Sequence, residues 1–375
     1  MFGRLLIASA GVAMLPAMAA AHDPARRHAE RPGDVSAPSA AALLALLSPE
    51  QRSAVSRPFA DDAARTNWHY LPSNVVRRDG VSLADLTGAQ RIAVHKLLSN
   101  ALSSQGYGKV AQIMWLETIL HRQQDAELIV AGDSPAQYLL KRERLEARDP
   151  EKYWLVLFGA PGAARWGWMI SGHHLALNFT MVDGRTAFTP LFKGAGPQTI
   201  VSGLHSGVRT LQHEIDRAAD LVTSLDAGQR TAAVLAPVVP TATLFADKGK
   251  KGEVTAPLGL SGARMSATQQ AMLRRLVAEY LDDVDAGAAA AQWRKIERDG
   301  MTLLHFAWWG PTDDPAQRFM YRVHGPSILI DFVREPGADG KPGNHVHSIV
   351  RDPANDYGEG WLGQHYREAH QPVLP

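Results

Sequence analysis

Between Leu83 and Leu120 the apolar positions fall three and four residues apart: Ile92, Leu97, Leu98, Ala101 and Leu102, then Val110, Ile113, Met114, Leu116 and Leu120. That spacing lines one face of a helix, and Gly106 with Gly108 interrupts it, so the stretch predicts a helix pair. The period then changes. "YWLVLFGAPG" (153–162) reads as a strand ending in a turn, and "WGWMISGHHLALNFTMVDG" (166–184) as two short strands meeting near Gly172. A helical pattern returns with Val208, Leu211, Ile215, Leu221, Val222 and Leu225, whereas Pro237 to Gly262 carries no strong period and reads as a connector.

The C-terminal part of the chain resembles the N-terminal part. Helical spacing recurs around Met272, Leu273, Leu276, Val277 and Tyr280 and then around Trp293 and Ile296. "LLHFAWWGP" answers "WLVLFGAP", and "FMYRVHGPSILIDFV" answers "WGWMISGHHLALNFT". Aligning Gly172 with Gly325 also aligns Trp168 with Tyr321, Ser171 with His324, Asn178 with Asp331 and Phe179 with Phe332. A match of such long period predicts an α+β fold of two similar halves, each a helix pair followed by an antiparallel β-meander, packed around a shared cleft. The expected boundaries are a signal peptide over 1–21, a flexible arm over 22–60, a first half over 61–236, a connector over 237–262 and a second half over 263–375. In strand alternation His174, Ala176, Asn178 and Thr180 share a face, and the repeat puts Ser327 and Asp331 in the places of His174 and Asn178.

Charge and composition narrow the partners. The 375 residues carry 39 Lys plus Arg against 38 Asp plus Glu, so no global field exists to capture nucleic acid or an acidic membrane surface. The opening "MFGRLLIASAGVAMLPAMAAAHD" has Arg4, an apolar run from Leu5 to Leu15 and small residues for cleavage, which predicts a secretory signal and a periplasmic or extracellular protein. No later segment is apolar enough to span a bilayer. The absence of cysteine excludes disulfides, thiolate catalysis and cysteine metal sites, leaving His, Asp and Glu as side-chain ligands.

Fifteen histidines make one adjacent and one alternate pair expected by chance, so neither His173-His174 nor His345-x-His347 is informative alone. Their context is. In an extended segment His345 and His347 point the same way, and both rings can reach one ion about 2 Å from each nitrogen. His174 is the first choice for a further ligand and His173 the second. Asp331 is the expected carboxylate, because a lone acid inside "SILIDFV" is costly to bury unless it is paired or ligating. The set suits a divalent metal such as zinc, and equally iron, manganese or copper. Each residue also has a plainer reading: histidines bonded to main-chain oxygens, and Asp331 bridged to Arg322 or Arg351.

If the site is catalytic, water activated by the metal is the expected nucleophile, since no Gly-x-Ser-x-Gly elbow is present. His324 is then the proton shuttle, Arg351 holds a developing or substrate anion, and Asp352 stands beside it. The plainer reading makes "RDPANDYG" (351–358) a turn pinned by Arg351 and Asp356. Trp166, Trp168, Trp308 and Tyr321, with Asn178, are candidates to hold a small-molecule or saccharide-like substrate, against core packing as the alternative. The charged run "KRERLEARDPEK" (141–152) reads as a solvated helix face, and His213-Glu214 lacks the second histidine of a zincin helix.

"NWHYLP", "LLSNALSSQGYGKV", "IMWLE", "WGWMISGHHLALNFTMVDG", "FAWWG", "YRVHGPSILIDF" and "NHVHSIVRDPANDYG", in order from Trp68 to His365, together resemble the secreted proteins grouped as domain of unknown function 3500. The resemblance implies secretion and a shared architecture but no activity. The family pattern is matched at His173, His174, His345 and His347, and departs at Asp331, where the family carries glutamate, and at the residues after it. The sequence therefore favours a metal-dependent hydrolase, with a non-catalytic ligand-binding protein and a copper or iron oxidoreductase as the other classes the same residues allow.

Overall fold

The computed structural model describes residues 34–126, 128, 132–240, 256–314, 316–337 and 340–363. The expected signal peptide and most of the connector lie outside these residues. The chain is α+β. Its described strands are β1 (Ser56–Arg57), β2 (Val81–Ser82), β3 (Tyr153–Phe158), β4 (Arg165–Gly172), β5 (Leu175–Val182), β6 (Arg185–Ala187), β7 (Leu191–Ala195), β8 (Val234–Ala236), β9 (Leu260–Ser261), β10 (His305–Trp309), β11 (Met320–Gly325), β12 (Ile328–Glu335) and β13 (His345–Arg351). They form one 13-stranded sheet whose path runs β1-β3-β4-β5-β7-β13-β12-β11-β10-β8, with β2 on β3, β6 on β5 and β9 on β10.

Both faces of this sheet are covered, which is why its strands read as nearly continuous apolar runs rather than clean alternation. Leu155, Leu157, Trp168, Ile170, Phe306 and Tyr321 point toward the helices, among them Gly88–Ala101, Ser104–Ala126, Gln212–Thr223 and Ala267–Leu281. Val156, Met169, Phe192, Met320, Val333 and Ile349 point the other way, against Trp68, Tyr70 and Tyr357.

Two sequence expectations need correction. The helix pair breaks at Leu102 and Ser103, not at the glycines: the Ser103 hydroxyl accepts from the Gly106 amide at 3.0 Å and starts the second helix. Gly106 is instead a contact point, since a Cβ there would lie 1.8 Å from the Asp283 carbonyl. The stretch 22–60, expected as a flexible arm, is folded from Asp34 onward. Helices Ala37–Leu46 and Pro49–Val55 bury Ala40, Leu43 and Val55 completely, and β1 pairs in parallel with β3.

Five helix starts among the described residues share one device. Ser48 with Gln51, Thr87 with Gln90, Ser134 with Gln137, Asp226 with Gln229 and Ser266 with Gln269 each form a reciprocal capping box. The Gln51 and Gln90 amides also bond each other, at 2.8 and 3.3 Å, and Gln229 bonds Gln269 in the same manner at 2.8 and 2.9 Å. Each pair ties a short helix, Pro49–Val55 or Ala227–Ala233, to a longer one, Gly88–Ala101 or Ala267–Leu281.

β7 and β13 meet antiparallel in the middle of the sheet, with Gly194 opposite His347 and Lys193 opposite Ser348. Lys193 is buried on the helix side, where it contacts Asp283 and lies 3.3 Å from Glu214. Lys109 reaches the same two carboxylates at 2.8 and 3.0 Å, so the buried charges are mutually compensated.

Candidate metal centre

The hairpin between β4 and β5 turns through His173 and His174, and the φ of His174 is +62°. This left-handed conformation is uncommon outside glycine, though histidine enters it more readily than most. Main-chain bonds hold it: the His174 amide donates to the Tyr70 carbonyl at 2.9 Å, and its own carbonyl accepts from the Gly194 amide at 2.7 Å. The ring is thereby fixed at the end of the sheet, beside the first residues of β13.

There His345 and His347 project from the same side of their strand, as alternate residues must. His174 Nε2 lies 2.9 Å from His345 Nε2, and the His345 and His347 ring centres are 4.4 Å apart. One nitrogen from each of His174, His345 and His347 lies within 4.8 Å of the others. Three imidazoles bound tetrahedrally at 2.0–2.1 Å would place their nitrogens about 3.3 Å apart, so the donors suit one small divalent ion with little movement. His347 also packs on Tyr70, with ring centres 5.1 Å apart, and its Nδ1 is 3.3 Å from Glu335.

Glycines make the room. A Cβ on Gly194 would stand 2.9 Å from His347 Cδ2 and 3.1 Å from His174 Cδ2. On Gly196 it would stand 3.1 Å from His345 Cδ2 and 3.2 Å from His174 Cε1.

Glu117, on the long helix, is buried beneath the hairpin. Its Oε2 bonds His173 Nδ1 at 2.8 Å, while its Oε1 lies 3.3 Å from His174 Nδ1 without a well-aligned hydrogen bond. Burial raises this carboxyl, but His173 and His174 outweigh it and bring the group down to about 2. Burial lowers His174 to about 4, with His173 adding to the effect, and it pushes His345 well below the ordinary imidazole value, aided by His347 and His174. A carboxylate beside neutral imidazoles is the protonation state a cation requires. Glu117, His173 and His174 form a second group within the same 4.8 Å limit. His174 belongs to both groups through different nitrogens, Nδ1 toward Glu117 and Nε2 toward His345. Hence one can orient the ring while the other ligates.

A cavity of about 630 Å³ opens beside the rings, lined by His173, His174, His345 and Arg148 and by the loop from Gly196 to His205.

The other expected site residues lie elsewhere. Asp331 is fully buried and takes Arg322 in a bidentate pair at 2.6 and 2.8 Å, so it is an ion-pair partner outside the histidine group. His324 and Arg351 both sit opposite Leu329, six residues along β12 from Glu335, the partner of His345. At about 3.3 Å per residue that is on the order of 20 Å, too far for a proton shuttle or an anion clamp at the rings. Arg351 bonds Asp356 at 2.7 Å, the Asp352 amide donates to Asp356 and Lys295 donates to the Asp352 carboxylate at 2.6 Å, so "RDPANDYG" is the pinned turn. Trp166, Trp168, Trp308 and Tyr321 are at most 1% exposed, and Trp168 stacks on Phe179 as Trp308 does on Phe319. These rings are packed in the core. Asn178 is buried too, donating to the Pro190 carbonyl at 2.8 Å.

Sequence reasoning passed over Glu117, Arg148, Gly194 and Gly196. Glu117 had a signal: it falls in register with Val110, Ile113 and Leu120, an acid on the apolar stripe of its own helix. No helix among the described residues is long and apolar enough to cross a membrane.

Comparison with known proteins adds a family and no activity. The family described as "Protein of unknown function (DUF3500)" matches residues 31–359. No curated protein and no solved structure matches the chain.

Proposed function

Since the chain belongs to the DUF3500 family, whose description carries no chemistry, we propose from the site alone that it is a metal-dependent hydrolase. In this reading His174, His345 and His347 hold one divalent, zinc-like ion. The observation that carries it is the meeting of His174 Nε2 and His345 Nε2 at 2.9 Å, from positions 171 residues apart, with His347 in reach and a cavity beside them. A bound ion would supply Lewis acidity for polarising a carbonyl or lowering the pKa of water.

The chain's own residues do the rest. Glu117 orients His174 through Nδ1 and keeps its Nε2 directed at the ion. His173, held at Nδ1 by Glu117 and facing the cavity, moves the proton that hydrolysis releases, a role the sequence alone had suggested for His324. The substrate is a small molecule, as a cavity of about 630 Å³ suits one.

We further read the chain as two copies of one unit, supported by the recurring order of capped helices and four-stranded meander and by the two matched glutamine pairs, with the site at the β7–β13 seam. The N-terminal leader supports action in the periplasm or outside the cell, which fractionation of expressing cells tests directly.

The central test is metal content. Purified full-length protein dialysed against zinc or cobalt should retain about one ion per chain, lost on His345→Ala with His347→Ala while circular dichroism stays native. Nitrophenyl ester hydrolysis should follow metal occupancy and be indifferent to oxygen. Unchanged stoichiometry in the double variant refutes the site, and turnover that requires oxygen refutes the hydrolase assignment.

A further inference from the structure

Arg148 follows the helix Pro135–Ala147 and lines the cavity alongside His173, His174 and His345. Among the described residues its guanidinium makes no ion pair within 4.0 Å, and its Nε is buried with no hydrogen-bond acceptor. Arg148 is itself only partly buried, whereas the more deeply buried cations against the sheet have their anions: Lys193 and Lys109 have Asp283 and Glu214, and Arg322 has Asp331. Arg78 is satisfied differently, by donating to the main-chain carbonyls of His69 and Leu71. Arg148 shares this one cavity with His174 and His345, two of the proposed ligands. Glu117 lies in its field but has its Oε2 committed to His173.

The remaining walls mix polar side chains, Arg122, Gln123, Thr199 and Asn344 among them, with an apolar part. Leu120 and Ile200 line the interior, and Val201 and Leu204, at 54% and 93% exposed, stand on the loop at the cavity. That loop is tied at its base by Ile200 donating to Val208 and Gly207 donating to Ile200, which leaves its apolar tip in solvent.

We propose that Arg148 is the anion-binding subsite of this cavity, and that the substrate is an amphiphilic anion whose carboxylate or phosphate seats on the guanidinium while its apolar part lies against Leu120, Ile200 and the loop tip. This rests on the reading of the histidines as the reacting end of the same cavity. A planar guanidinium with free donors binds either oxyanion in bidentate fashion, so charge and shape are specified by the same side chain. Arg148 positions the substrate and takes no part in bond breaking.

The test is calorimetric titration of full-length protein, both metal-free and zinc-loaded, with octanoate, octyl phosphate and octylamine. Octanoate or octyl phosphate should bind the metal-free protein at least about tenfold more tightly than octylamine, and the stronger of the two identifies the preferred oxyanion. Arg148→Gln should weaken anion binding by about tenfold or more. Arg148→Lys, which keeps the charge but loses the planar fork, should weaken anion binding several-fold, less than the glutamine variant, and covers the case in which that variant does not fold. Octylamine binding as tightly as octanoate, no anion binding at all, or full anion affinity in Arg148→Gln would each overturn the proposal. Arg148-dependent binding in protein that takes up no metal sustains the subsite while the metal reading falls. Normal metal content with binding indifferent to Arg148 does the reverse.

Discussion

Replacing Gly194 with alanine adds a methyl group at the point where two proposed ligands pass closest to the backbone. The new Cβ would stand 2.9 Å from His347 Cδ2, 3.0 Å from the Val346 carbonyl oxygen and 3.1 Å from His174 Cδ2. Carbon contacts settle at about 3.5–4.0 Å, so each ring must withdraw by roughly half an ångström. The carbonyl belongs to β13 where it pairs with β7, so the rings must yield first. They would move away from the same side of a site whose bond lengths tolerate only about 0.2 Å. We expect metal affinity to fall by about 10- to 100-fold, as when supporting residues around a metal are removed. The metal-free fold should lose only about 1–3 kcal/mol, the ordinary cost of overpacking by a methyl group. Gly196→Ala should follow with a smaller loss, because its closest ring contacts are 3.1 and 3.2 Å. Gly88→Ala, at a helix start with nothing within 4 Å of the new atom, is the control. The assay is competition between the protein and a chromophoric chelator, alongside thermal melts without metal. Wild-type metal affinity in a natively folded Gly194→Ala protein would refute the convergence of His174 and His347 on one ion.

Three other substitutions probe the buried charges. Glu117→Gln should keep the fold and lower metal affinity by about 10- to 100-fold, whereas complete loss of metal would move Glu117 from orienting residue to ligand; the chelator assay separates the two. Asp331→Asn should cost about 3–5 kcal/mol in urea unfolding, because Arg322 keeps a buried charge without its counter-ion, yet it should leave metal stoichiometry unchanged. Burial raises Glu214, but Lys109 and Lys193 outweigh it and hold the group below its ordinary 4.5. Its folded value lies below the unfolded one, so its contribution is complete above about pH 4.5 and disappears as pH falls through the lowered value. Urea melts across that range should show acid destabilisation that is shallower in Glu214→Gln.

Local pattern made much of the architecture legible. The apolar runs at 153–162 and 166–184 became β3, β4 and β5 with their turn at Gly172 to Leu175, because nearest-neighbour hairpins are encoded by residues adjacent in the chain. Pairing between β7 and β13 had no such local mark. The glycines at 106 and 108 misled, since glycine serves close approach as well as termination, and only the distant Asp283 carbonyl distinguishes the two at Gly106. At the site the histidines were visible by type and spacing, but their neighbours were not. Arg148 stands in "KRERLEARDPEK", which reads as solvated because most of it is; the cavity beside Arg148 is walled by a loop from much later in the chain, Gly196 to His205. Arg322 was one of two cations the sequence offered Asp331, and the strand register that selects it over Arg351 cannot be counted until the hairpin is known.

The sheet is continuous across β7 and β13, and this has a bearing on when the centre can come into being. His174 and His345 are brought together across that pairing, and 344 residues precede the second of them in the chain. A chain not yet folded would offer only isolated histidine pairs, with the entropy of a long loop opposing their union. On the proposed reading, cation capture is therefore late, because it waits for β13 to pair with β7. An ion bound there would tie the β4–β5 hairpin to β13 and so couple its own affinity to the closure of that seam.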